Sequence, residues 1–298
     1  KLLWRFYNSA LGFSTSYPAI ARICSGGTDK SCTGGTEKWY MVVGSGPKNT
    51  YVTGSNSGDP PERDYGGKKT ENISTANKIF VVDLSDGSLG KQFATGASNE
   101  YMGDPLVVDE NFDFTSDTIY IGSSIGTDVT NVDGKVYRIK TNGKIPSGAD
   151  ETCPDPVISS TNWCRSVLID AGKPVLTAPS VATDSQRNLW VFFGTGRLRN
   201  SGDPSDLTNS EPQTFYGIKD ACGKKTNIDT DPATGVCSNS YTTSQLASTS
   251  ASNVTLLSQD VSGVTKPTDC TACTTPTDYN SLLSMMRRSD VKGWYYNL

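Results

Sequence analysis

Asp104-Pro105-Leu106-Val107-Val108-Asp109, then Thr118-Ile119-Tyr120-Ile121-Gly122, then Gly134-Lys135-Val136-Tyr137-Arg138-Ile139 form the most legible stretch of the chain. Each run is short, rich in β-branched and aromatic residues, and bounded by Gly, Asp or Thr, as strands of an antiparallel sheet are. The same order occurs twice more. Upstream stand Tyr17-Pro18-Ala19-Ile20-Ala21-Arg22-Ile23, Trp39-Tyr40-Met41-Val42-Val43-Gly44-Ser45-Gly46 and Lys78-Ile79-Phe80-Val81-Val82-Asp83. Downstream stand Ala178-Pro179-Ser180-Val181-Ala182-Thr183, Leu189-Trp190-Val191-Phe192-Phe193-Gly194-Thr195-Gly196 and Thr214-Phe215-Tyr216-Gly217-Ile218. Each copy has a Pro-led strand, an aromatic strand ending in Gly and a third apolar strand. A small sheet with two apolar faces cannot bury both alone, so repeated sheets must stack on their neighbours. The expected fold is all-β, a modified β-propeller with the copies as blades. Pro18, Pro105 and Pro179 are expected to open equivalent strands, and Gly44, Gly122 and Gly194 to sit at equivalent strand ends. Long polar loops, from Gly46 to Asn77 and from Asp220 to Asp278, interrupt the pattern. A β-sandwich of coincidentally similar strands is the alternative.

Composition agrees with many strands joined by turns. The 298 residues are 35% hydrophobic and include 29 glycines, and an all-β chain of this length can be one domain, here residues 1–298. The net charge of −4 is spread over mixed acidic and basic residues. Without a basic block, neither a nucleic-acid groove nor an anionic membrane surface is indicated. No apolar run approaches the roughly 20 residues that span a bilayer. The opening Lys1-Leu2-Leu3-Trp4-Arg5 shows no initiator Met and no signal-cleavage pattern, so the chain reads as an excised or processed part of a longer one. Gly293-Trp294-Tyr295-Tyr296-Asn297-Leu298 reads as a final strand. Asp278 to Asp290 reads as a short helix capped by Asp278, with Leu282, Leu283 and Met286 on one face.

Eight cysteines fall into four local couples: Cys24/Cys32, Cys153/Cys164, Cys222/Cys237 and Cys270/Cys273. Each lies in loop-like sequence, and an even count in such places reads as disulfides formed in an oxidising compartment. Nearest-neighbour pairing is the simplest connectivity. Structural zinc is disfavoured because the chain has no His and offers a single CxxC. Haem attachment is excluded because Thr274 follows that motif where His is required.

One motif carries chemistry. Asp109-Glu110-Asn111-Phe112-Asp113-Phe114-Thr115-Ser116-Asp117 places side-chain oxygens at positions one, three, five and nine, with Thr115 at seven. That is the ligand rhythm of an EF-hand loop, where position seven gives its backbone carbonyl and oxygen ligands suit Ca²⁺. Three carboxylates so close repel one another unless a cation draws them in. The loop is not an EF-hand: strands flank it, Phe114 stands where Gly is required, and Tyr120 replaces the bidentate Glu. The alternative is an acidic hairpin whose side chains cap their own turn. The candidate metal ligands are therefore Asp109, Asn111, Asp113, Thr115 and Asp117. No catalytic or organic-cofactor residues are identified. A second acidic stretch, Asn227-Ile228-Asp229-Thr230-Asp231-Pro232, reads as a turn closed by Cys222 and Cys237. Asn72-Ile73-Ser74 and Asn253-Val254-Thr255 match the N-glycosylation pattern, which is common by chance.

The chain resembles the C-terminal domain of PilY-type type IV pilus biogenesis factors, also described as pilus-tip adhesins. The resemblance is carried by Leu11-Gly12-Phe13-Ser14-Thr15-Ser16-Tyr17-Pro18-Ala19-Ile20-Ala21-Arg22, by the Asp109–Asp117 loop with Ile119-Tyr120-Ile121-Gly122, and by Val191-Phe192-Phe193-Gly194-Thr195-Gly196-Arg197 leading to Gln213-Thr214-Phe215-Tyr216-Gly217-Ile218. It implies a modified propeller with a nine-residue calcium loop, matched here by Asp109, Asn111, Asp113 and Asp117, with Thr115 at the carbonyl position. It further implies a secreted protein that passes through the periplasm to the pilus tip or outer cell surface. There it would associate with minor pilins and a surface or host ligand, support pilus extension, and so affect twitching motility and attachment. The adhesive N-terminal half common in the family is missing, and no Arg-Gly-Asp tripeptide is present. Two other functions compete: a quinone-cofactor dehydrogenase, which also uses a propeller and Ca²⁺, and a generic extracellular binding propeller. The enzyme is disfavoured because no adjacent Cys-Cys pair and no His base are present, and the candidate calcium ligands all come from one hairpin. No enzymatic activity is expected.

Overall fold

The computed structural model describes residues 2–12, 15–47, 77–126, 133–148, 152–153, 162–197, 213–223, 240–250, 261 and 263–298. Among these, thirteen strands form three sheets. The first is an antiparallel meander of β1 (Ala19–Ser25), β2 (Thr36–Gly44), β3 (Lys78–Asp83) and β4 (Leu89–Ala94). The second repeats it with β5 (Glu100–Val108), β6 (Thr118–Ile125), β7 (Lys135–Lys140) and β8 (Cys164–Asp170). The third begins likewise with β9 (Ser180–Thr183), β10 (Leu189–Gly194) and β11 (Thr214–Asp220). After β11 come β12 (Leu246–Ser250), α1 (Tyr279–Arg287) and β13 (Gly293–Asn297), and the sheet order is β12-β13-β11-β10-β9. β13 thus supplies the fourth antiparallel strand, and β12 adds a parallel fifth.

Each sequence copy becomes one sheet, because its period-2 alternation sorts side chains onto two faces. In β10, Leu189, Val191 and Phe193 are buried while Trp190 and Phe192 are half-buried. One face of the first sheet, with Ala21, Ile23, Tyr40, Val42, Ile79 and Val81, packs on Ile119, Ile121, Tyr137 and Ile139 of the second. The other face of the second, with Tyr120, Val136 and Leu168, packs on Val191, Phe193, Tyr216 and Ile218 of the third. Strand β6 is consequently buried along Thr118–Ser124.

The recurrent glycines mark close approaches between layers. A Cβ on Gly44 would lie 2.2 Å from the Cβ of Met102, and one on Gly122 would lie 2.2 Å from the carbonyl of Val175. Gly44 and Gly194 end their strands as expected. Gly122 does not: β6 runs on to Ile125, although the β6–β7 ladder stops at Gly122↔Val136. Pro18 and Pro179 immediately precede β1 and β9. Pro105 lies inside β5, an edge strand, at the register shift between Met102 and Pro105, a kind of position where a residue without an N–H is tolerated.

Three of the expected disulfides are present: Cys24–Cys32, Cys153–Cys164 and Cys270–Cys273. Cys222 is disulfide-bonded as well, and Cys237 lies outside the described residues. So do the 227–232 stretch, both glycosylation-pattern asparagines and most of the Gly46–Asn77 loop, whereas the Asp220–Asp278 stretch, expected as a loop, is described in the greater part and contains β12. Helix α1 is capped as read, with the Asp278 carboxylate accepting the Ser281 N–H at 2.8 Å. Its buried residue is Met285, flanked by half-buried Leu282 and Met286. No helix among the described residues is long and apolar enough to cross a membrane.

Candidate functional site

The Asp109–Asp117 loop joins β5 to β6 at the end of the middle sheet. Its side chains fold inward onto its own backbone, as short Asp and Asn side chains do in tight turns. Asp109 Oδ2 accepts the Phe114 N–H at 2.7 Å, and its Oδ1 accepts those of Asn111 and Asp113, each at 3.3 Å. Asn111 Oδ1 accepts the Asp113 N–H at 3.2 Å, and Asp113 Oδ1 accepts that of Thr115 at 2.8 Å. Asp117 Oδ2 closes the loop by accepting the Glu110 N–H at 2.8 Å. Phe112 and Phe114 take left-handed backbone conformations, φ 59° and 65°. Both are exposed, and this conformation is uncommon for bulky residues.

The loop thus gathers the five residues read from the sequence on one turn. Ligand atoms of three acidic, Cys or His side chains lie within 4.8 Å of one another elsewhere, at Cys270, Cys273 and Asp290, and the three loop aspartates do not form such a group. The Cys270 and Cys273 sulfurs are bonded to each other, so that cluster has no thiolate to offer. The donor set of the loop fits a hard cation in its chemistry. A carboxylate has about four lone-pair sites, so oxygens that hold loop N–H groups keep lone pairs for an ion. The Thr115 carbonyl would add a neutral ligand.

Glu110 was not among the candidates, and it belongs to a different set of contacts. Its carboxylate is buried and accepts the Lys140 ammonium at 2.9 Å and the Thr118 hydroxyl. Lys140 also reaches the Cys222 carbonyl at 3.4 Å. This pairing removes one negative charge from the loop's electrostatics and ties the loop root toward the third sheet. On the opposite side Arg22 of β1 donates from Nη1 to the Phe114 carbonyl at 2.8 Å. Ser116 and Arg22 exchange further bonds, Ser116 N–H to Arg22 O at 2.8 Å and Arg22 N–H to Ser116 Oγ at 3.1 Å. No local pattern marks these partners, since Arg22 and Phe114 are 92 positions apart.

A cavity of about 490 Å³ opens elsewhere, with Asp104 of β5, Gly194 of β10, Thr177, Thr195 and Arg197 among its lining residues.

Three stacked sheets, two of four antiparallel strands and one of five strands, with an oxygen-rich hairpin loop on the middle one, make this an all-β protein built from a repeated sheet. Among solved structures, the fold is similar to the C-terminal domain of Pseudomonas aeruginosa PilY1, with a TM-score of 0.53 and 18% identity over 97% of this chain. The chain spans about half of that structure, 51% of its length. At this identity the likeness is one of fold. No protein-family model matches the chain, and no curated protein matches it.

Proposed function

We propose that the three sheets are consecutive blades of a modified β-propeller, and that the chain is a calcium-binding part of a type IV pilus biogenesis and tip-associated protein. The observation that carries this reading is the nine-residue oxygen-rich loop closing the β5–β6 hairpin, within a fold similar to the PilY1 C-terminal domain. The disulfides support an oxidising location, in keeping with passage through the periplasm to the pilus tip or outer surface. In this reading Ca²⁺ is held by Asp109, Asn111, Asp113, the Thr115 carbonyl and Asp117. The ion neutralises the loop and supplies no reaction. Minor pilins and a surface or host ligand are the partners, and pilus extension, twitching and attachment are the outputs. The reading assigns the chain no enzymatic activity. If calcium acts as a switch, it must favour one state of the loop or of a partner contact, since equal affinity for both shifts nothing.

Isothermal titration with CaCl₂ tests the site. Wild-type protein is expected to bind, and Asp113→Ala to bind far more weakly, because a ligand and part of the attracting charge are both lost. Absence of wild-type binding up to millimolar Ca²⁺ would sink the site. The pilus role is tested in the native host. Deleting the gene is expected to reduce surface pili seen by electron microscopy, and unchanged piliation and twitching would remove it.

A further inference from the structure

We infer that Arg22 is a positioning residue for the cation loop, clipping it to the disulfide-closed hairpin of the first sheet so that the loop's ligand set is held in shape. This rests on the calcium reading above. The guanidinium makes three contacts at once. Nη1 donates to the Phe114 carbonyl at 2.8 Å, Nη2 to the Lys30 carbonyl at 3.2 Å, and Nε to Glu37 Oε1 at 2.9 Å. Lys30 lies between Cys24 and Cys32, whose disulfide closes the β1–β2 hairpin. The same oxygen, Glu37 Oε1, also accepts the Trp39 indole N–H at 2.9 Å. The Lys30 ammonium lies 5.2 Å from the centroid of the Phe114 ring, a second link between the same two segments.

The geometry explains why this matters for a cation. In a trans peptide the C=O and the following N–H lie in one plane and point in opposite directions. The Phe114–Thr115 peptide turns its carbonyl outward to Arg22 and its N–H inward to Asp113 Oδ1, at 2.8 Å each. Holding the carbonyl therefore also holds the N–H that orients the Asp113 carboxylate. The left-handed conformation of Phe114 makes this hold more consequential, because an unfavourable backbone pose persists when its surroundings fix it. The guanidinium charge by itself opposes a nearby cation, and its pairing with Glu37 offsets that. A planar fork with several donors suits a three-way clip, and a lysine ammonium lacks that shape.

Arg22→Lys keeps the charge and removes the fork. Titration with CaCl₂ is expected to show affinity lowered by about tenfold, the lower end of what outer-shell partners of metal ligands contribute. Glu37→Gln, a change at a more exposed position, is expected to lower affinity by a smaller factor. It leaves the guanidinium less firmly held and its charge uncompensated. Circular dichroism establishes that each variant is folded, and the Glu37 variant carries the test if Arg22→Lys is not. Wild-type affinity in folded Arg22→Lys, or tighter binding, would overturn the positioning role while leaving the calcium site standing. If Arg22→Lys does not fold, unchanged affinity in Glu37→Gln does so. Failure of the wild-type protein to bind would remove the calcium reading itself and the inference with it.

Discussion

Asp220 and Glu100 are both almost fully buried, yet their surroundings differ. Asp220 Oδ1 accepts Arg138 Nη1 at 2.6 Å, an ion pair with no exposed side-chain surface, together with the Cys222 N–H at 2.9 Å. Its Oδ2 accepts the Tyr120 hydroxyl at 2.7 Å. This network joins the second sheet to the third. Neutralising one partner strands the other, so Asp220→Asn is expected to cost about 3–5 kcal/mol in a urea unfolding experiment. Glu100 accepts hydroxyls, from Tyr137 at 2.8 Å and from Thr95. Burial pushes its pKa above the ordinary carboxylate value of 4.5, with those hydrogen bonds acting against the shift. A carboxyl whose folded pKa is raised contributes stability below its unfolded pKa and loses that contribution as pH rises through the folded pKa. The raised pKa therefore makes Glu100 less favourable to the fold at neutral pH than in acid. Glu100→Gln is expected to hold or raise the melting temperature at pH 7 and to flatten the decline in stability above about pH 4.5. A variant less stable than wild type at pH 7 but equal to it at pH 4 would reverse the sign and refute the assignment.

The disulfides separate into two kinds at the level of elements. Cys24–Cys32 braces the β1–β2 hairpin, and Cys153–Cys164 pins the segment before β8 against that strand, where Cys153 N–H bonds Arg165 O at 2.8 Å. Each closes a short loop, worth about 2–3 kcal/mol in the chain-entropy model. Cys153 and Cys164 are also packed with Cys222 in a buried cluster. Serines there would leave buried hydroxyls in search of partners, which adds about 1–3 kcal/mol. Thermal unfolding is expected to rank Cys153→Ser/Cys164→Ser below Cys24→Ser/Cys32→Ser, and the reverse order would contradict the buried cluster. The same elements show what was legible in advance. The first three strands of every sheet stood out because apolar alternation and Gly or Pro punctuation coincide there. Strand β4 did not, because Leu89-Gly90-Lys91-Gln92-Phe93-Ala94 puts a lysine at a core position, buried with its ammonium on the Ser147 carbonyl at 2.7 Å. Strand β8 is hidden in the same way by buried Arg165 and Ser166. Candidate ligands were readable because they are contiguous, whereas Arg22 and Lys140 reach the loop from other strands, so only the folded chain brings them there.

Across the whole molecule, a stack of sheets leaves two outer faces to cover, and this chain covers them with different material. Beyond the third sheet lie α1 and the Cys270–Cys273 turn, with Met285 and Val291 buried and Trp294 of β13 packed against them. Lys219 of β11 fastens this cap by donating to the Met286 and Arg288 carbonyls at 2.9 and 2.8 Å. Beyond the first sheet lies residues 4–11, an extended segment in which Trp4, Phe6 and Ala10 are half-buried while Arg5, Tyr7 and Ser9 are exposed. Its inward side chains cover Val43, Phe80 and Val82. Phe6 meets Phe80 edge-on at 5.5 Å between centroids, and the Trp4 indole N–H donates to the Leu84 carbonyl at 2.9 Å. Gly87 completes the fit, since a Cβ there would lie 2.8 Å from the Trp4 ring. The segment makes no ladder with the sheet, so its hold is mainly apolar contact. Trp4→Ala/Phe6→Ala should then bare the apolar face of the first sheet without unpairing its strands. The expected cost is about 3 kcal/mol, at the low end of aromatic-to-Ala changes because neither ring is fully buried. Binding of an apolar dye to the native protein should rise while the far-ultraviolet dichroism of the sheets persists. The second and third sheets, which pack through their own shared core, should keep their slow amide exchange in this variant. Loss of protection in β10 and β11 to the same degree as in β2 and β3 would mean that the stack opens as one unit, and the independence assigned to its first interface would be wrong.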